Sequence, residues 1–287
     1  MTKTLAIIVN HNLPEYTNWV YYSLKKFENN DFDLMVMDNG SKPDLIPNYA
    51  QIRLKKNIYW GGALNEAFKL VLQHSKYDSL LFLNNDLELT PEIFVKMLRH
   101  EMFSNDLAIV SPCIAGKPVP WKQMQNWGGK MPRIVKWIDN PAPLFHRKII
   151  EAIGQFPEEL QIGWGQELIC YETCRDHNWK TAVLDNLSIL HYGKQTLLQN
   201  KLFSSQDRST EDITSKEPNI SWDVYKAEAM RTRDAYFEAH PLRYESFENH
   251  VEWGLNYSYN PFIETAGSGK ENLISGWKKK LLRFVSP

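Results

Sequence analysis

The stretch SLLFLNNDLELTPE, Ser79–Glu92, decides the fold. An apolar run, Leu80–Leu83, stops at Asn84-Asn85-Asp86, and a helix start signal follows at once in Thr90-Pro91-Glu92. A buried strand handing over directly to a helix is one step of a β-α series. Two amides and one acid at such a strand end admit two readings. One is a tight turn, because Asn and Asp tolerate turn backbone angles. The other is a ligand site, because open α/β sheets bind at the carboxyl ends of their parallel strands.

The same step recurs on both sides. Upstream, LAIIVN (Leu5–Asn10) is a β-branched apolar run, with Asn12 as N-cap and Pro14 in the first turn of a helix over Glu15–Phe27. DLMVMDNGS (Asp33–Ser41) is a second strand ending in an acid and a turn pair, and Gln51–Asn57 a shorter third. WGGALNEAFKLVLQHS then opens a helix on a Gly-Gly pair. Downstream, Pro91–Phe103 is helical and Leu107–Ile114 a fifth strand. Repeated β-α with fully apolar strands predicts a mostly parallel sheet flanked by helices on both faces.

After Lys117 the pattern changes to loops rich in Pro, Trp and Gly. Ala142–Phe156 reads as a strand leading into a short helix, Gly163–Trp179 as a loop opening a helix, and TAVLD and SILHYG as two strands. The expected organisation is a catalytic domain over 1–200, a polar loop or lid over 201–220, and a helical C-terminal extension over 221–287.

Composition narrows the function classes. At 287 residues, 43% hydrophobic and 13% aromatic, the chain fills a large α/β core. A net charge of −1 supplies no field for nucleic acid, which is excluded as a partner. Cys113, Cys170 and Cys174 form no CxxC pair and no even disulfide set, so they read as reduced core thiols. The amino terminus enters a strand with no cleavable signal pattern, and no apolar run reaches the roughly 18–20 residues of a membrane span. The expectation is a soluble cytoplasmic protein. Its basic amphipathic tail, SGWKKKLLRFV, would allow peripheral contact at the inner face of a membrane. Oligomeric state is not legible.

Three strand ends carry polar residues on one edge of the sheet: Asn10-His11-Asn12, Asp38-Asn39-Gly40-Ser41 and Asn84-Asn85-Asp86. Their convergence favours a nucleotide pocket over three separate turns. The chain has neither GxGxxG after the first strand nor GxxxxGK[ST], which disfavours dinucleotide and P-loop sites. What remains for a diphosphate is a divalent cation, Mn2+ or Mg2+, with Asp86 as its ligand and phosphate oxygens and water completing the shell. Asn84 is placed to bond a ribose hydroxyl, with Asn85 as spacer.

In this order, IIVNHN, MDNGS, Asn57-x-x-x-Gly61-Gly62-x-x-Asn65, LNND, FHRKIIEAIGQF and GWGQE…HYG resemble family 2 glycosyltransferases of the GT-A fold. The likeness is strongest to bacterial rhamnosyltransferase-like members acting in polysaccharide biosynthesis, and runs from about Leu5 to Gly193. It implies transfer of a hexosyl or deoxyhexosyl group, with inversion, from a nucleoside diphosphate sugar (UDP, dTDP or GDP) to a glycan or lipid-linked acceptor. It further implies that Val9 and His11 lie against the nucleobase, that Asp38 holds base or ribose, and that Asn39 stands where many relatives have a second acid. Asn57, Gly61, Gly62 and Asn65 match the segment that lets backbone approach nucleotide and sugar. Asn84-Asn85-Asp86 stands at the DxD position. Glu167 matches the general base, and His191 a late histidine that completes the metal shell. Trp60 and Trp164, beside glycines, are candidate sugar contacts.

The sequence departs from the family pattern twice: the usual acid pair is Gln166-Glu167, and the first Asp of DxD is Asn84. A nucleotide-sugar binding protein without catalysis is therefore the competing reading. A nucleotidyltransferase is a weaker one, since NHNLPEY offers no basic Gly-rich loop.

Overall fold

The computed structural model describes residues 2–28, 31–116, 122–139, 141–193 and 222–243. The expected lid and the basic tail lie outside the described residues.

The amino-terminal half follows the β-α alternation. Strand β1 (Lys3–Asn10), helix α1 (Pro14–Lys25), β2 (Phe32–Asp38), β3 (Ile52–Arg53), α2 (Tyr59–Gln73) and β4 (Tyr77–Asn84) come in that order. β1 pairs in parallel with both β2 and β4, and β2 with β3. Leu5–Ile8 and Leu80–Leu83 are fully buried because helices cover both faces of these central strands. Leu13, not Asn12, is the N-cap of α1. Asn12 takes a left-handed φ of 57°, and its side chain accepts from the Lys42 N–H, so its amide ties two strand-end turns together instead of capping a helix.

The carboxyl-terminal half is mixed. After β5 (Leu87–Glu88), α3 (Phe94–Ser104), β6 (Leu107–Ala115), β7 (Arg133–Val135), β8 (Leu144–His146) and α4 (Arg147–Ile153) come α5 (Gln166–Asp176) and β9 (Lys180–His191). Among the described residues the sheet order is β3-β2-β1-β4-β8-β6-β9-β5, with β7 also on β9. β8 lies antiparallel between β4 and β6, so the sheet is parallel only in its first half and between β6 and β9. The cause is local. The segment before β8 doubles back along β4, where Phe82 N–H donates to Pro143 O at 3.0 Å and Asn84 N–H to Pro141 O at 2.9 Å. TAVLD and SILHYG form the single strand β9, whose register against β6 shifts between Pro112 and Cys113.

Helix α6 (Trp222–Ala239) returns to the domain, where Phe237 joins Leu160 and Leu168 in a small apolar cluster apart from the main core. Arg147, the first residue of α4, donates to carbonyls between the end of α2 and the start of β4: Val71 O at 3.0 Å, His74 O at 3.2 Å and Tyr77 O at 3.0 Å. The three cysteines are free and buried, and burial pushes their thiols up, Cys113 to about 12 and Cys174 to about 11. No described helix is long and apolar enough to cross a membrane.

Candidate active site

The three polar strand ends meet, and a buried hydrogen-bond chain holds them. Asn10 Nδ2 donates to Asp38 Oδ1 at 2.8 Å and to Ser41 Oγ at 2.9 Å. Asn10 Oδ1 accepts from Thr17 Oγ1 at 2.7 Å, and Thr17 Oγ1 accepts from Asn85 Nδ2 at 3.0 Å. Asp38 is fully buried, with its second oxygen accepting from the Ser41 N–H at 3.1 Å. Buried polar groups must be satisfied, and these satisfy one another. Asp38, expected to hold base or ribose, and Asn85, the expected spacer, are both tied into this buried chain.

Asn39 is also nearly buried, and its amide clamps the next segment. Nδ2 donates to Tyr59 O and Oδ1 accepts from the Ile58 N–H, both at 3.0 Å. His11 Nδ1 lies 2.9 Å from Asn39 O and its Nε2 3.3 Å from Asn57 Nδ2, so His11 and Asn57 share one partly exposed corner with Val9 at the end of β1.

The glycines at the start of α2 pack closely against protein. A Cβ on Gly61 would lie 2.8 Å from both Leu160 O and Gln161 O, and on Gly62 2.9 Å from the Ile58 side chain. The absent side chain lets α2 approach the loop before α5, where Gly61 N–H donates to Gln161 O at 2.7 Å. Asn65 likewise turns inward. Its amide pairs both ways with the Phe156 peptide, at 2.9 and 2.8 Å, locking α2 to the segment after α4.

At the end of β4 the geometry is chemically richer. Trp60 Nε1 donates to Asn84 Oδ1 at 3.0 Å, and its ring stands edge-on to Phe82 at 5.2 Å. Asn84 Nδ2 lies 3.2 Å from His191 Nε2, which lies 3.3 Å from Asp86 Oδ1. β5 explains this meeting across the chain: it follows Asp86 directly and pairs antiparallel with β9, setting Leu87 opposite His191. The imidazole Nε2 has one role at a time. Protonated, it donates to Asp86; unprotonated, it accepts from the Asn84 amide. Burial works to lower the His191 pKa, but the bond and charge of Asp86, with Asp139 adding to them, leave it raised.

These two side chains suit a divalent cation. Two donors each about 2.1 Å from an ion and at right angles around it stand about 3 Å apart, close to the Asp86–His191 separation. Among the described residues no group of three or more His, Cys, Asp or Glu that could hold a metal forms, so Asp86 and His191 stand as a pair.

Glu167 sits in the first turn of α5, half-buried, and its Oε2 accepts from the Gly165 N–H at 2.9 Å. Burial pushes its carboxyl up to about 7, against backbone N–H bonds from Glu167 and Gly165 that lower it; Asp139 raises it further and Arg233 lowers it. A carboxyl poised there can take a proton near neutral pH. Trp60 packs against the same loop, since a Cβ on Gly163 would lie 3.2 Å from Trp60 Cβ. Trp164 follows in that loop, partly exposed.

The sequence profile of Glycosyl transferase family 2 matches residues 5–151, just over half of the chain. This chain belongs to glycosyl transferase family 2. Among solved structures, family membership is matched by fold. The TarS 1–349 structure from S. aureus superposes with a TM-score of 0.50 at 16% identity, covering 88% of this chain and 78% of that one. A GalNAc-T7 structure superposes with a TM-score of 0.52 at 12% identity, covering 84% of this chain and 58% of that one. No curated protein sequence matches.

In this family 2 glycosyltransferase the profile ends before Glu167 and His191, which join the site through the fold alone. Sequence reasoning missed two charged residues. Asp139 acts electrostatically on both Glu167 and His191, and Arg233, on α6, acts electrostatically on Glu167. Neither sits in a motif. Asp139 has one indirect signal, the aromatic and proline-rich WIDNPAP that runs back along β4.

Proposed function

We propose that this chain moves a hexosyl or deoxyhexosyl group from a nucleoside diphosphate sugar to a hydroxyl of a glycan or lipid-linked acceptor, with inversion. The observation that carries the reading is the pairing of Asp86 with His191 at 3.3 Å, together with the Glu167 carboxyl held near neutral pKa at the start of α5, with Asp139 acting on both His191 and Glu167. The same fold holds UDP, GalNAc and Mn2+ in the GalNAc-T7 structure.

The nucleoside lies over Val9, His11 and Asn57, the open corner of the strand ends. Asp86 and His191 would hold a divalent cation, Mn2+ or Mg2+, which when bound would neutralise charge on the departing diphosphate. Asn84 positions both Trp60 and His191 through the two ends of its amide. Glu167 takes the proton of the acceptor hydroxyl as that oxygen attacks the anomeric carbon from the face opposite the diphosphate. Trp60 and Trp164 offer apolar faces to the sugar. A single displacement forms one glycosidic bond, breaks one sugar–phosphate bond and leaves no sugar on the protein.

A donor panel tests this. UDP-, dTDP- and GDP-sugars, dTDP-rhamnose included, are screened for a rise in melting temperature with and without Mn2+, and the binders are assayed for turnover. A cation-dependent rise with turnover supports the proposal. A rise without turnover of any donor favours a binding protein that has lost catalysis, and no rise with any donor contradicts both.

A further inference from the structure

Helix α6 lies outside both the profile match and the stretch that resembles the family, yet it is fastened to the loop that carries Glu167. Phe237 shares an apolar cluster with Leu160 and Leu168, which flank that loop. Beyond the helix, Arg243 bonds Asp176 of α5 at 2.5 Å and also pairs with Glu172. The tightest contact is at Gly165, the N-cap of α5 with φ 99°. A Cβ there would lie 3.0 Å from Phe237 Cε2 and 3.1 Å from Arg233 Cγ. The Gly165 N–H is also the group that donates to Glu167 Oε2. One peptide therefore touches the carboxylate on one side and the stem of Arg233 on the other.

We propose that α6 completes the active site, with Arg233 as a positioning residue that packs on the Gly165 peptide bonded to the Glu167 carboxylate and brings positive charge to that side of it. The inference rests on Glu167 being the base. Arg233 is itself restrained, since its Nε and Nη2 bond Asp234 Oδ1 at 2.8 and 2.6 Å. Asp234 is more than half exposed, whereas the Arg233 side chain is largely covered. Of the charges that act on Glu167, Asp139, on the segment before β8, and Arg233, on α6, pull its ionisation in opposite directions. Cys170, one turn along α5, stays a neutral thiol because burial holds its pKa far up.

Three substitutions in the full chain test the assignment. Arg233→Met keeps the stem that packs on Gly165 and removes the charge, Arg233→Lys keeps the charge, and Asp234→Asn removes the exposed partner. The readout is the titration of Glu167 by carboxyl 13C NMR on glutamate-labelled protein, with its signal assigned through Glu167→Gln. Wild type should titrate near 7. Arg233→Met should move the midpoint up by about half a pH unit or more, Arg233→Lys should restore it, and Asp234→Asn should move it down. The acid limb of the turnover–pH profile should shift the same way. An unmoved midpoint in both Arg233→Met and Asp234→Asn overturns the proposal. Because Asp234 is exposed, that variant reports even where Arg233→Met fails to fold. A shifted midpoint with no donor turned over at any pH supports the placement of Arg233 and overturns the reading of Glu167 as a base.

Discussion

The two ends of the central sheet bury acids in opposite company. At the amino end, Asp33 is met by Lys3 at 2.7 Å, Lys76 at 2.9 Å and the Tyr77 hydroxyl at 2.9 Å. Burial works to raise its pKa, but these partners win and hold it at about 2. Nearby, Arg99 bonds both oxygens of Asp78, at 2.6 and 2.9 Å, and reaches Thr4 and Ser79 as well. At the carboxyl end, Asp86 meets an imidazole, and Glu167 meets backbone N–H groups and rises to about 7. The amino end fastens β1, β2, β4 and α3 with lysine and arginine supplied by the chain. The carboxyl end brings acids together with less positive charge.

That contrast predicts different failures at the two ends. The largest effect belongs to Glu167→Gln, which should cut turnover about 10²- to 10⁴-fold while leaving donor affinity unchanged, measured by steady-state kinetics and calorimetry. A variant that kept full turnover would remove the base from this residue. The same substitution should stabilise the fold above neutral pH. Glu167 ionises near 4.5 when unfolded and near 7 when folded, so stability falls as pH rises through that window. Removing the acid should recover up to about 3 kcal/mol at pH 8 and nothing at pH 4, read from urea melts. At the opposite end, Arg99→Ala should cost about 1–3 kcal/mol by leaving Asp78 partly buried without its fork, with donor affinity unchanged. Weakened donor binding in that variant would mean the two ends are coupled.

The fold was legible because the strands carry it locally. Leu80–Leu83 and Leu5–Ile8 are apolar on both faces, which only a covered parallel strand explains, and α2 and α5 begin close to their Gly-rich openings. The antiparallel β8 was not legible, since a three-residue strand has no direction in its sequence; the backbone bonds of Pro141 and Pro143 set it. The site was legible as a set of strand ends but not as roles. Asp38, Asn39, Asn65 and Asn85 look like ligands in sequence because their amides and acids are the groups that also satisfy buried backbone and one another. Asp86 and His191, 105 positions apart, meet only because β5 pairs with β9. Arg233 arrives from a helix whose sequence announces nothing beyond helicity, and its neighbourhood is set by the missing side chain of Gly165.

The central claim is that the carboxyl edge takes a cation and a nucleoside diphosphate together. Titrating UDP into wild type and Asp86→Ala by calorimetry, each with and without Mn2+, tests it most directly. Wild type should bind at least about tenfold more tightly with Mn2+, and Asp86→Ala should bind weakly and equally in both conditions. Equal affinity of wild type with and without Mn2+, or an Mn2+ enhancement that survives in Asp86→Ala, would contradict the account.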